Sequence, residues 1–494
     1  MFMPQDTYVQ NIKPLDATFL AMQTQTAPVH VGAVLIYGKQ APESSNQEVF
    51  DPLSLLESLL REKLSSVEKF TFKLIRFPLD LFNPIWIKDP NFKIENHITR
   101  ISLDPPYDSS TLCDRIGEIW QSPLNLNRPL WHFYLIDNYL EDQIAVVAKV
   151  HHSLIDGVSG ANLFVQLLDL DPIVKYVPKE QESNDENRPS LIQEIVKNTT
   201  LAPKVVSQIA QFQTNYVINL PKTATKVFKS LNNLHKAYGA QAAKKPPLLF
   251  TAPKTSMNKA VSKKRTFSYV AFKMADILEI KNRFNVTIND VIMTICTNTL
   301  RNYLAETKEI PDSPLTALMP ISIRDDSDKQ IVDNQVSAAI VALPTNEPNI
   351  LKQLQLVSQN AKNAKELSKT VGEKIFLDVA TLLPINLQQI MAKSVYKLIA
   401  SDTINPPANV IITNVPGPNF ALYSNSIPLD NVIPIGALGQ GIGICFAIFS
   451  YNDRINISIL SDPNLISKTE AIPTHLNRSF EKLSTVKPQK KTRR

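Results

Sequence analysis

The sequence predicts an α/β protein built from two lobes. Three observations predict it. The chain has 494 residues, too many for one compact core. Runs with a two-residue apolar period alternate with runs of helical period in both halves. A polar, proline-bounded break and a long basic stretch separate those halves.

The first half divides at about residue 172. QIAVVAKV (143–150) reads as a strand. In GVSGANLFVQLLDLD (157–171), Val158, Ala161, Phe164, Leu167 and Leu168 share one helical face. PKEQESNDENRPS (178–190) reads as a surface linker. Residues 191–262 read as helices interrupted at Pro203 and Pro221. From 263 to 480 a second α/β unit follows. RTFSYVAF, LTALMPISI, NQVSAAIVAL, ANVIITNV, GICFAIF and RINISIL are its strand candidates; KMADILEIKNRF and NDVIMTICTNTLRNYL are its helix candidates. The expected organisation is therefore 1–172 as one lobe, 173–262 as linker and basic crossover, 263–480 as the second lobe and 481–494 as a basic tail.

Composition narrows the class. With 44% hydrophobic residues, 20% charged residues and 12 glycines, the chain is neither fibrous nor disordered. Cys113, Cys296 and Cys445 are odd in number and far apart, so no disulfide framework or cysteine metal site is expected, and a reducing cytoplasm fits best. The N-terminus is polar and lacks the apolar core of a signal peptide. Residues 432–452 carry no charge, but Pro434, Gln440 and four glycines favour a turn and a buried strand over a membrane span. The net charge of +6 is uneven: Lys197 to Arg265 holds thirteen Lys/Arg and no Asp or Glu. Such a stretch attracts phospholipid surfaces, nucleic acid or CoA phosphates, and charge alone does not choose. A crossover helix pair with a solvated lysine face is the simpler reading; direct membrane contact is the other.

The chemistry concentrates in HHSLIDG (151–157), directly after the 143–150 strand. If that strand continues, His152 extends the face of Ile144, Val146, Ala148 and Val150, while His151 shares the other face with Lys149. His152 is thus the better candidate for a water-poor cleft. Asp156 suits a helix N-cap, and Gly157 permits close backbone approach. An imidazole of near-neutral pKa is the natural base for acyl transfer to an alcohol. No G-x-S-x-G elbow is present, which disfavours a covalent serine hydrolase. Metal ligation and plain packing remain the alternatives; adjacent histidines on a strand point apart and chelate one ion poorly.

HHSLIDG resembles the H-H-x-x-x-D-G signature of CoA-dependent acyltransferases. Further stretches resemble the bacterial bifunctional wax ester synthase/diacylglycerol acyltransferase family: PLDATFLAMQTQTAPVHVG (14–32), RPLWHFYLID (128–137), TINDVIMTICTNTLRNYL (287–304), ALMPISIRD (317–325), DNQVSAAIVALPT (333–345) and NVIITNVPGP (409–418). They follow the family's order along nearly the whole chain. The resemblance implies two chloramphenicol-acetyltransferase-like lobes with the active-site channel between them. It implies that His152 is the base and that Asp156 is structural, held by an arginine. Pro129, Leu130 and Trp131 then fall near the acyl or alcohol pocket, although core packing is the simpler role for Trp131. Asn289 and Asp290 fall at a helix start in the second lobe. Asn289 could serve the oxyanion or the base, or act as the helix N-cap. NVPGP (414–418) reads as a rigid turn.

The expected function is transfer of a long-chain acyl group from acyl-CoA to a fatty alcohol or diacylglycerol. Acyl-CoA is a substrate, and no metal or bound cofactor is expected. The expected setting is cytoplasmic and peripheral, on the inner face of the plasma membrane or on lipid inclusions, without nucleic acid. The competitors are a related acyltransferase with a more polar acceptor and a non-catalytic lipid-inclusion surface protein.

Overall fold

The computed structural model describes residues 9–38, 51–64, 67–76, 84–140, 143–155, 160–161, 165–171, 225, 246–322, 336–371, 385–424 and 426–487. Most of the linker and of the basic stretch lies outside these residues, as do Asp156 and Gly157.

Fifteen strands are described. In the first half they are β1 (Val9–Asn11), β2 (His30–Tyr37), β3 (Phe72–Ile75), β4 (Ile85–Lys88), β5 (Ile98–Ile101), β6 (Trp131–Tyr139) and β7 (Gln143–His151). In the second they are β8 (Thr266–Lys273), β9 (Leu315–Ser322), β10 (Val336–Leu343), β11 (Val410–Val415), β12 (Tyr423–Ser424), β13 (Ile427–Ile435), β14 (Ile444–Tyr451) and β15 (Arg454–Ser461). The described α-helices are α1 (Pro14–Met22), α2 (Pro52–Leu64), α3 (Ser109–Gln121), α4 (Met274–Phe284), α5 (Ile288–Glu306), α6 (Ile350–Val371), α7 (Ile385–Ala400) and α8 (Ala471–Thr485).

Two six-stranded mixed sheets carry the molecule, in the orders β12-β13-β2-β7-β6-β5 and β10-β9-β11-β14-β15-β8, beside a small sheet β1-β4-β3. Every strand expected between residues 263 and 480 forms, within a residue or two. The surprise is β13. It lies late in the chain, yet it joins the first sheet, antiparallel to β2. Residues 432–452 contain the expected turn and buried strand, preceded by the end of β13. They hold the end of β13, a connection, and β14 in the other sheet. Among the described residues no helix is long and apolar enough to cross a membrane.

The apolar alternation of β7 translates into two cores. Val146, Ala148 and Val150 pack with Leu59, Leu60, Phe70 and Trp86 under the first sheet. Ala145 and Val147 face a core shared by both lobes, where Val34 and Ile116 meet Phe267, Cys445 and Leu460. The second lobe has its own core around α5, whose Ile292, Met293, Ile295 and Leu300 are fully buried. Residues around Asn258, at the end of the expected crossover, bond to this lobe. Asn258 donates to the carbonyls of Ala408, Asn409 and Gly441.

β2 and β7 approach closely because position 32 carries no side chain. A Cβ on Gly32 would stand 1.8 Å from the Ala148 carbonyl oxygen and 2.9 Å from the Trp120 ring. Gly32→Ala must therefore push the strands apart and should cost about 1–3 kcal/mol, lowering Tm in a thermal melt. Gly439→Ala meets nothing closer than Ile442 at 4.0 Å and should melt like the parent. Equal melting of the two variants would remove this explanation of Gly32.

Candidate active site

β7 ends at His151, so His152 does not extend the strand face as expected; it opens a turn closed by Leu154 N–H donating to His151 C=O at 2.9 Å. Two backbone bonds hold this end. His151 N–H donates to Leu130 C=O, and His152 N–H to Val29 C=O, each at 2.9 Å. The two imidazoles then part company.

His151 is fully buried. Its Nδ1 accepts from the Ser153 N–H (3.1 Å) and lies 2.8 Å from the Ser153 hydroxyl. The ring proton therefore belongs on Nε2, which donates to Gln23 Oε1 at 3.0 Å. Burial, reinforced by neighbouring His152, pushes its pKa down to about 3. His151 is thus a neutral ring with both nitrogens occupied.

His152 is half-buried, and its ring stacks on Phe19 with centroids 4.1 Å apart and planes 25° from parallel. Phe19 and Gln23 both come from PLDATFLAMQTQTAPVHVG. The sequence marked that segment as family-like without indicating a task; the task is to clamp the histidine pair. Its Pro14 opens α1, and α1 ends at Met22 so that Gln23 can turn toward His151. The same segment is tied to the second lobe. Gln440 donates to Thr24 Oγ1 (3.1 Å) and Thr26 Oγ1 (2.7 Å), and Arg265 donates to the Thr26 carbonyl.

Lys149 does not face a cleft. It is buried, and its ammonium donates to the carbonyls of Ile119 (2.6 Å) and Ser122, at the C-terminal end of α3. Burial lowers its pKa to about 7. His30, opposite His151 in the β2–β7 ladder, is also held neutral. Burial is the main cause, and the charge of Lys149 the next.

The other predicted residues fall into a core group and a second-lobe group. Pro129, Leu130 and Trp131 are all buried. Trp131 donates its indole N–H to Phe70 C=O at 2.7 Å and stacks on His97, so its side chain is taken up by the core rather than by a pocket. Asn289 is not the N-cap of α5. That role falls to Thr287, in a capping box with Asp290. Asp290 also accepts from the Ser358 hydroxyl at 3.1 Å, so its carboxylate is held within the helix end. Asn289 stands one position earlier, half-buried. It receives a long bond from Asn414 of the NVPGP turn (3.5 Å) and sets its own Nδ2 against Met293 Sδ (3.3 Å).

An apolar cavity of about 30 Å³, lined by Tyr37, Leu56, Leu135, Val146 and Ile427, lies toward the Gln143 end of β7. It lies at the opposite end of the strand from His152. Among the described residues no cluster of His, Cys, Asp and Glu could hold a metal ion.

The fold of two mixed-sheet lobes recurs in solved structures. The wax ester synthase/diacylglycerol acyltransferase of Marinobacter aquaeolei VT8 superposes with a TM-score of 0.67 at 20% identity, over 96% of this chain and 98% of that one. The starter condensation domain of rhizomide synthetase, solved with C8-CoA and Leu-SNAC, superposes with a TM-score of 0.56 at 13% identity, over 97% and 94%. The chain belongs to the wax ester synthase/diacylglycerol acyltransferase family. Residues 12–292 match its catalytic domain, and 332–484 its C-terminal domain. The O-acyltransferase WSD of Acinetobacter baylyi is 26% identical over 475 residues, 95% of this chain and 96% of its own length.

The low pKa of His151 has a consequence for stability. The unfolded chain protonates this ring near 6.5, the folded chain only near 3. Between those values the unfolded state binds more protons, so stability falls as pH drops. His151→Gln should flatten the urea midpoint against pH in this window, by up to one proton or about 1.4 kcal/mol per pH unit. Identical slopes for parent and variant would contradict a buried neutral His151.

Proposed function

We propose that this chain transfers a long-chain acyl group from acyl-CoA to the hydroxyl of a fatty alcohol or diacylglycerol, forming a wax ester or a triacylglycerol, with His152 as general base. The observation that carries the reading is the division of labour in the histidine pair. His151 has both ring nitrogens engaged and resists protonation, whereas His152 stands half-buried at the turn beside α1. Family membership over both matched domains supports the reaction class.

In this mechanism the His152 imidazole takes the hydroxyl proton as the alcohol oxygen attacks the thioester carbonyl. The tetrahedral intermediate collapses, the C–S bond breaks, and the departing CoA thiolate takes the proton back from the imidazolium. Acyl-CoA is consumed as substrate, and no other group enters the balance. The stack on Phe19 restricts the rotation of the ring. Asn289 is the proposed oxyanion donor. It sits in the first turn of α5, at the positive end of the helix dipole, and its Nδ2 rests on sulfur, a weak acceptor that a stronger one can replace. Asp156 is proposed to orient the turn rather than to react. The protein works in the cytoplasm at a lipid surface, because both acceptors are nearly insoluble in water.

The reaction is tested by incubating the purified protein with palmitoyl-CoA and hexadecanol or diolein. Thiol release should depend on the added lipid alcohol and coincide with ester or triacylglycerol on chromatography. Release with small polar alcohols alone would point to a different acceptor, and no release at all to a surface protein.

His152→Ala should lower turnover by about 10²–10⁴-fold with an unchanged melting curve. A folded variant with near-parental turnover would falsify the base assignment. Asn289→Ala should lower kcat by about 10²–10³-fold while Tm stays nearly constant, since Thr287 caps the helix. A lower Tm with parental kcat would make Asn289 a structural residue instead.

A further inference from the structure

α7 is inside out for a surface helix. Its protein-facing side includes Gln388, which accepts from Thr18 at 3.0 Å, and Tyr396, whose hydroxyl donates to Met22 C=O at 2.8 Å, beside buried Ile385 and Ile399. Its outer side carries Leu387, Ile390, Met391 and Leu398, exposed at 43%, 58%, 56% and 41%. At 3.6 residues per turn these four fall within an arc of about 100°. Met22, 45% exposed, adds to them from the end of α1. Lys393 and Lys397 are exposed and follow the Ile390 edge of the arc. The helix contains no acidic residue.

From this arrangement we infer that the outer face of α7 is the surface by which the protein docks on an anionic lipid bilayer. An outward apolar stripe with lysines along one edge suits the headgroup boundary: the apolar side chains enter the acyl region and the ammonium groups reach lipid phosphates. Charge complementarity selects the occupant. A second copy docked on the same stripe would bring four lysines together with no carboxylate of α7 to meet them. A phosphate-bearing bilayer supplies the negative charge.

The location gives the surface its use. α7 packs directly on α1, and α1 carries Phe19, which stacks on His152. Packed helix axes lie about 8–10 Å apart, so one helix width separates the docking face from the helix that clamps the histidine pair. A water-insoluble acceptor entering beside α1 would reach His152 without crossing bulk water. This use rests on the proposed lipid-alcohol acceptor; the docking itself does not.

The test is cosedimentation with phosphatidylcholine vesicles containing phosphatidylglycerol, comparing the parent chain with I390S/M391S/L398S and with K393E/K397E. The serine variant should lose about tenfold in vesicle partitioning. The glutamate variant should lose binding to these vesicles while matching the parent on phosphatidylcholine alone, and salt should erase that difference. Both variants should melt like the parent and turn over a water-soluble alcohol at the parental rate. Vesicle binding by the serine variant equal to the parent's would overturn the inference. So would a change from dimer to monomer with vesicle binding unaltered, which would assign the face to a second copy. Vesicle binding is read without turnover, so a failure of the proposed reaction is distinguishable from a failure of this surface.

Discussion

Two backbone hydrogen bonds at the end of β7 carry the candidate site. His151 N–H to Leu130 C=O and His152 N–H to Val29 C=O fasten the histidine pair to segments on either side of the strand. With those donors fixed, the turn at 151–154 has little freedom, and the two rings must leave it in different directions. One becomes a buried, neutral anchor. The other stacks on Phe19. A site that asks one imidazole to exchange protons gains from a neighbour that cannot protonate, because a second imidazolium beside it would depress the pKa of the first.

The same constraint explains the bonds that radiate from α1 and the loop after it. Gln23 holds His151; Thr18, Met22, Thr24 and Thr26 reach the second lobe. A displacement of one lobe against the other is therefore felt at the histidines through a short polar chain. β13 reinforces the connection. Its backbone contributes to the first sheet, while β14, separated from it by eight residues, runs in the second. The lobes share a core as well as a sheet-to-sheet connection, which makes their relative placement a packing property rather than a linker property.

Many buried polar groups among the described residues bond to a neighbouring backbone or side chain; the indole N–H groups of Trp86 and Trp120 do not. Lys149 closes the C-terminal end of α3. Asn258 and Asn409 knit four chain segments together. Thr294, Thr297 and Thr299 inside α5 return their hydroxyls to the carbonyls four residues back. Conserving hydrogen bonds in this way makes an otherwise apolar second lobe tolerant of a polar helix at its centre.

Much was legible in the residues themselves. Apolar alternation determined β7 through β11 and β14 to β15 where they lie beside turn signals, and helical spacing determined α4 and α5, because both periods record which side of a local element avoids water. HHSLIDG and the stretches around it determined the reaction class. Three things were not legible. β13 is not among the expected strands, and its sheet is chosen by a partner, β2, nearly 400 residues earlier. The parity of β7 placed His152 on a strand face, but a turn placed it against Phe19. The anchor of His151 is Gln23, 128 residues away. In α7 the pattern is amphipathic whichever side faces the protein; only the bonds to Thr18 and Met22 decide that the apolar side faces out. Sequence periodicity records how much of an element is apolar and in what order; the identity of the group that covers it is a property of the folded chain, where residues remote in sequence become neighbours.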